Sequence, residues 1–182
     1  MSTPSEKPAV WHISFSHSRL ETVTCWASET GLTALSFGPQ DVVPTAGLPL
    51  DENTPEAAAV ILSEAVRQLQ AYLARQLQNF SLPFDLSACT DFQRQVLAHI
   101  CKIPYGQVIT YGQIAMLVGG MKHVRAVGGA VGSNPLPIVI PCHRVVSTGG
   151  QMRGYSGWGG IRTKTWLLQL EGQQLISEEM DY

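Results

Sequence analysis

The sequence predicts an α+β fold: a strand-rich N-terminal part, with an antiparallel sheet plus a helix, followed by a mostly helical C-terminal part with a helix-turn-helix. Three observations carry that expectation. Apolar residues alternate near the start, as in "VWHISFS", where Trp11, Ile13 and Phe15 share one face and His12 and Ser14 the other. After Thr54 they recur at three-and-four spacing, which gathers them into one stripe of a helix. Further on, two helical patterns flank the pair Gly119–Gly120, and the second carries basic residues.

Taken in order, "LETVTCWA", the turn "SETG" and "LTALSFG" read as a hairpin with Gly31 at its turn. Positions 39–53 are rich in Pro, Gly and Asp and read as loop. Thr54 is the expected N-cap of the long helix, with Pro55 at its first position and Glu56 in its first turn. Ile61, Leu62, Ala65, Val66, Leu69, Tyr72 and Leu73 form its apolar stripe. Pro83 breaks that pattern within "QNFSLPFDLSA" (79–89), so the chain is expected to divide there. Residues 1–84 would form a supporting domain, 85–175 a second domain and 176–182 an acidic tail. Thr90 caps the next helix, whose inward face is Phe92, Val96, Leu97, Ile100 and Ile103, and Pro104 and Gly106 end it. "TYGQIAMLVGG" gives a short helix with Ile114, Leu117 and Val118 inward, and "MKHVRAVGGAVGSN" a second one ending at Gly132. Helix, glycine turn and basic helix over about 111–132 is a helix-turn-helix pattern. A last helix at 163–170 carries Trp166, Leu167, Leu168 and Leu170 and leads into Glu171.

The second helix of the pair is costly. Gly128, Gly129 and Gly132 each weaken it by about 1 kcal/mol against alanine. Small residues there allow close packing against another helix, or let the backbone lie flush against a duplex. Recognition helices that read base edges carry long polar side chains. This one offers mainly Arg125, so as a DNA-binding element it reads little sequence.

The formal net charge of −2 hides an asymmetry. Residues 1–91 sum to −6, residues 92–170 carry eight Lys/Arg and no acid, and residues 171–182 sum to −4. A basic, acid-free stretch of 79 residues suits a polyanionic partner, against the alternative of chance clustering in a weakly charged protein. The start shows no basic segment followed by an apolar run, and no apolar run is long enough to span a bilayer. The expectation is a soluble cytoplasmic protein. Cys25, Cys89, Cys101 and Cys142 are widely spaced, with no CxxC pair, which argues against disulfides and against a metal site.

"IVIPCHRVV" (138–146) is the stretch that points to chemistry. Pro135, Pro137 and Pro141 exclude helix and stiffen the segment 134–146, which delivers Cys142 to a defined place. A thiol attacks as thiolate, so it needs a base or a positive field. His143 is adjacent, but neighbours on an extended strand face opposite ways, so contact requires a turn or a bridging water. Glu171 is the first acid after the acid-free stretch and could orient His143. A cysteine–water–histidine–glutamate relay follows the general logic of an activated nucleophile, the alternative being an inert buried thiol. Arg144 would pair with an acid of the N-terminal part or stabilise the local field.

"RAVGGAVGSNPLPIVIPCHRVV", with "GYSG" and "WLLQLEG", closely resembles the O6-alkylguanine-DNA alkyltransferases, densely from Phe92 to Gly172. A strand-rich N-terminal domain ahead of the alkyltransferase domain is similar to the family's arrangement. The resemblance implies a DNA repair protein that transfers alkyl groups from O6 of guanine, and O4 of thymine, to itself after flipping the nucleotide. It implies that Cys142 is the alkyl acceptor, that His143 takes its proton through water, and that Glu171 orients His143. Asn134 would tie the helix-turn-helix to the active-site segment. Arg125 would enter the base stack. Tyr111 would crowd the phosphate, help rotate the nucleotide and donate a proton to the guanine ring. Gly112, Gln93, Ala126 and Thr148 would complete the DNA contacts. Tyr155 and Ser156 would wall the base pocket and donate hydrogen bonds to it, and the carbonyl of Val145 would accept from the guanine amino group.

After "YSG" the sequence departs from the family pattern: "WGGIRTK" carries about two extra residues. Trp158 would then widen, lid or reshape the pocket and bear on which alkyl groups it takes. No Cys/His set matches the zinc reported for some members, so no metal and no cofactor is expected. The expected partner is double-stranded DNA bearing O6-alkylguanine, bound by a monomer. Two rival readings exist. A cysteine hydrolase built on Cys142 and His143 gives no reason for the helix-turn-helix. A DNA-binding regulator would leave Cys142 inert or redox-sensing, although sensor cysteines are usually exposed.

Overall fold

The structure is a computed structural model that describes residues 9–40, 47–149 and 155–173. Strands β1 (Trp11–His17), β2 (Glu21–Ala27) and β3 (Leu32–Gly38) form an antiparallel meander, with Ile13 opposite Cys25 and Cys25 opposite Leu35. One face is therefore apolar across all three strands: Val23, Cys25, Ala27, Leu35 and Phe37 are buried on it. Part of the expected loop 39–53 is a strand. β4 (Leu48–Pro49) adds in parallel to β1, because the amides of Leu48 and Leu50 donate to the carbonyls of Val10 and His12, both at 2.9 Å.

Helix α1 (Glu56–Leu73) packs on the apolar face through Ala58, Leu62, Ala65, Leu69 and Tyr72. Its start differs from expectation. Pro55 holds the N-cap position and makes no side-chain cap bond. The Thr54 hydroxyl is instead drawn into the preceding turn, where it accepts from the Asp51 amide at 3.0 Å. Ile61, Val66 and Leu73 flank the buried stripe and are only half-buried. The return segment then crosses the β2–β3 turn: the Leu32 amide donates to Pro83 at 2.9 Å and the Asp85 amide to Leu32 at 2.8 Å. A side chain at Gly31 would meet the Phe84 backbone at 2.8 Å, so the turn glycine is required by this crossing.

Helix α2 (Asp91–Ile100) opens with a capping box, Thr90 and Gln93 each bonding the other's backbone amide. Helix α3 (Tyr111–Leu117) opens the same way on Thr110 and Gln113. Gly119 and Gly120 turn the chain at φ +120° and +111°, and helix α4 (Val124–Gly132) follows one 3-10 turn later. α4 packs on α2 and α3. Ile114 and Val118 face inward as expected, but Leu117 is 55% exposed.

The segment after α4 is not extended through Cys142. Cys142–Arg144 form a 3-10 turn, and only then does β6 (Val145–Val146) pair in parallel with β5 (Ile109–Thr110). Helix α5 (Gly160–Leu170) begins earlier than expected and delivers Glu171 at its C-cap. Both parts of the chain share one buried apolar cluster, and the Leu35 amide of β3 donates to the Pro135 carbonyl at 2.8 Å.

Candidate active site

Asn134 follows α4 and is buried. Its side chain accepts from the Leu136 amide at 3.0 Å and donates to the Ile140 carbonyl at 2.8 Å. The helix-turn-helix is thereby fastened to the segment that carries Cys142. Cys142 itself is 3% exposed. Burial pushes its thiol pKa up, while a hydrogen bond with Asn134, the charge of Lys164 and the amides of Cys142 and His143 act the other way.

The 3-10 turn supplies the change of direction that an extended strand would lack. His143 is fully buried, and its Nε2 lies 2.8 Å from Glu171 Oε1. A carboxylate accepts, so Nε2 carries the proton and Nδ1 is the basic nitrogen. Nδ1 is buried with no hydrogen-bond partner among the described residues. Burial pulls the His143 pKa down, partly offset by Glu171. At rest the thiol and the imidazole are thus both neutral, and charge separates only when the thiol is deprotonated.

Glu171 is the hub. Oε1 accepts from His143, from Tyr72 at 2.6 Å and from Arg144 Nη2 at 2.9 Å. Oε2 accepts from Arg144 Nε at 2.9 Å and from the Gly106 amide at 3.1 Å. Burial works to raise its pKa, but the donors from His143, Arg144 and Tyr72 hold the carboxyl well below the usual carboxylate range. Arg144 also donates to the Ile103 carbonyl at 2.6 Å. Its acid is therefore Glu171, not a residue of the N-terminal part.

Two aromatic rings and a lysine surround the thiol. Tyr111, the first residue of α3, lies 5.8 Å under Lys164 Nζ. Tyr155 stacks on Phe37 of β3 at 6.4 Å, and its hydroxyl is buried without a hydrogen-bond partner among the described residues. Burial raises both phenol pKa values, and the charge of Cys142 adds to each. Lys164 is completely buried; burial lowers its pKa to about 8, opposed by Cys142. Its Nζ donates to the Val145 carbonyl at 2.6 Å, so the oxygen expected to accept from guanine already holds one bond and keeps a second lone pair.

The remaining candidates scatter by role. Arg125 and Ala126 are exposed on α4, and Gly112 is half-buried at the start of α3. Gln93 serves the α2 capping box and donates to Ser133 at 2.8 Å, which ties α2 to the end of α4. Thr148 and Ser156 are exposed on either side of residues 150–154. That stretch and the acidic tail 176–182 lie outside the described residues. Trp158 is 38% exposed and packs on the end of β3: a side chain at Gly38 would lie 2.8 Å from its ring. Among the described residues, side chains at Gly128, Gly129 and Gly132 would meet nothing within 4 Å. Close packing against another helix therefore does not explain these glycines. No helix among the described residues is long and apolar enough to cross a membrane.

Tyr72 and Lys164 join the site only in the folded structure. Lys164 had a signal, since Lys164, Leu167, Leu168 and Glu171 share three-and-four spacing and hence one helical face. Tyr72 reads as an ordinary member of the α1 stripe, and nothing local marks its hydroxyl.

A buried thiol next to a histidine–carboxylate pair, on the segment that follows a helix-turn-helix, is the arrangement a DNA-binding protein with a cysteine acceptor would need. Residues 12–86 match the model for the ribonuclease-like domain of 6-O-methylguanine DNA methyltransferase, and residues 91–173 match the model for its DNA binding domain. The chain belongs to the 6-O-methylguanine DNA methyltransferase family. Among curated relatives, the methylated-DNA–protein-cysteine methyltransferase of Mycobacterium leprae is 44% identical over 115 residues, which is 63% of this chain and 68% of that protein. The Methanosarcina barkeri enzyme of the same name is 44% identical over 112 residues, 62% of this chain and 69% of that protein. The Mycobacterium tuberculosis OGT crystallised in complex with DNA superposes with a TM-score of 0.74 at 38% identity, over 88% of this chain and 92% of that one. The O6-methylguanine-DNA methyltransferase of Pyrococcus kodakaraensis gives 0.52 at 25% identity, over 90% and 99%.

Proposed function

We propose that this chain is a methylated-DNA–protein-cysteine methyltransferase that takes the alkyl group from O6 of guanine in duplex DNA onto Sγ of Cys142. The observation that carries it is the buried Cys142 set beside the His143–Glu171 pair and fastened by Asn134 to the helix-turn-helix. A thiol this buried cannot reach a base inside the duplex. The nucleotide must leave the stack, at a cost of a few kcal/mol. The exposed Arg125 fills the place it leaves, and the open glycine face of α4 lets the backbone approach the DNA. Residues 85–175 do this work and residues 1–84 support them.

In the transfer step the Cys142 proton passes through a water to His143 Nδ1, and Glu171 stabilises the imidazolium. The thiolate attacks the alkyl carbon in line. An S–C bond forms, the C–O6 bond breaks, and the guanine leaves with a proton from Tyr111, which regains one through water as His143 gives up the proton it took from Cys142. Lys164 and the Asn134 bond stabilise the developing thiolate. O4-alkylthymine offers the same displacement. The product is a thioether, so each chain acts once, as a monomer. A redox-sensing regulator would need an accessible thiol, and 3% exposure at Cys142 disfavours it.

The test mixes the protein with duplex DNA containing O6-methylguanine and reads the Cys142 peptide by mass spectrometry. One added methyl group per chain is expected, with none on Cys142→Ala. Unmodified Cys142 with the lesion intact would refute the function.

A further inference from the structure

We infer that Tyr72, on the N-terminal helix α1, is a positioning residue of the transfer relay, setting through Glu171 how strongly His143 holds a proton; the inference rests on the function proposed above. Tyr72 stands in the last turn of α1 and is completely buried. Its hydroxyl donates to Glu171 Oε1 at 2.6 Å and lies 3.4 Å from His143 Nε2. It therefore shares with His143 the one carboxylate oxygen on which the imidazolium must rest. The ring is held by Phe80 at 5.3 Å and by Tyr105, edge-on, at 6.1 Å, so the hydroxyl has a fixed aim.

The charges around the relay all come from a few elements. His143 faces Glu171 and Lys164 from α5, Tyr72 from α1 and Arg144 from its own turn. Glu171 also faces Tyr105, from the loop after α2. Arg144 grips both oxygens of Glu171 through Nε and Nη2, and the Gly106 amide is fixed by the backbone. Tyr72 is the remaining donor to the shared oxygen. Each hydrogen bond that oxygen accepts withdraws charge from it and weakens its hold on the imidazolium. With Tyr72 present, His143 is kept unprotonated and ready as a base. The N-terminal part thus takes part in the chemistry through one hydroxyl, besides supporting the fold.

The experiment measures single-turnover transfer against pH with a short duplex containing O6-methylguanine. The proteins are the parent, Tyr72→Phe, and the full chain carrying 3-fluorotyrosine at position 72, a more acidic phenol of nearly the same size. Tyr72→Phe is expected to react about five- to tenfold more slowly, the effect of one hydrogen bond, with DNA affinity unchanged. Its acid limb is expected to move to higher pH, because Glu171 then holds the imidazolium more tightly. The 3-fluorotyrosine protein is expected to move the limb to lower pH. Limbs that stay with the parent, or that move together in one direction, would overturn the role of Tyr72 and leave the proposed function standing. A parent whose Cys142 takes up no methyl group would overturn both. If Tyr72→Phe does not fold, the fluorinated protein keeps ring and hydroxyl and decides alone, by the direction of its shift.

Discussion

His143 is an imidazole kept neutral inside a protein. Its folded pKa lies below the ordinary value because burial disfavours the imidazolium, while the unfolded chain titrates near about 6.5. Between those two values the unfolded state binds more protons than the folded one, so stability rises with pH there. The contribution is complete above about 6.5 and is lost as pH falls through the folded value. Urea unfolding midpoints are expected to hold between about 6.5 and neutral pH and to decline below that window. Glu171, with its depressed pKa, adds a second loss of the same sign further down the acid range. In His143→Gln the first decline is expected to become shallower; a slope identical to the parent's would contradict a buried neutral histidine. The hub itself was half legible. Cys142, His143 and Glu171 carry chemistry by residue type, whereas Tyr72 and Arg144 gain meaning only from the oxygen they share.

At the scale of elements, caps and glycines were legible where the signal is local. Thr90 caps α2 as its spacing with Gln93 implies. Thr54 does not cap α1, because the Asp51 turn competes for its hydroxyl. The glycines of α4 are a sharper case. Their missing side chains would meet nothing among the described residues, so no packing there demands them. Gly128→Ala and Gly129→Ala are each expected to raise stability by about 1 kcal/mol, since alanine restricts the unfolded backbone and suits a helix. The same changes are expected to weaken binding to undamaged duplex if that face lies against DNA. Denaturant titration and fluorescence anisotropy check the pair of effects; stability gained with affinity untouched would remove α4 from the interface.

Across the whole molecule, the basic stretch means something different folded than read. Of its eight Lys/Arg, Arg144 is spent on Glu171 and Lys164 is buried against Val145. Arg94 bonds Asp91 at the start of α2. Lys102, Lys122, Arg125 and Arg162 are exposed. The number of phosphates the protein neutralises is thus smaller than the sequence charge implies. Its binding to duplex should fall with salt at a logarithmic slope between about −3 and −5, which titration at several salt concentrations measures. A slope near −7, as all eight charges would give, would mean the buried pair is not buried in solution.

By itself the sequence determined what local forces decide: the alternation that makes β1 to β3, the stripes and capping boxes that make the helices, and the prolines that stiffen the approach to Cys142. Its motifs also singled out Cys142, His143 and Glu171, of which the last two meet in the fold. Tertiary structure alone decided that the segment turns at Cys142, that Arg144 and Lys164 point inward, and that a tyrosine from the first helix reaches the carboxylate. Those outcomes depend on groups far apart in the chain meeting in a space without water. There an unpaired charge or hydroxyl is costly, and each must find its partner wherever the fold has brought one.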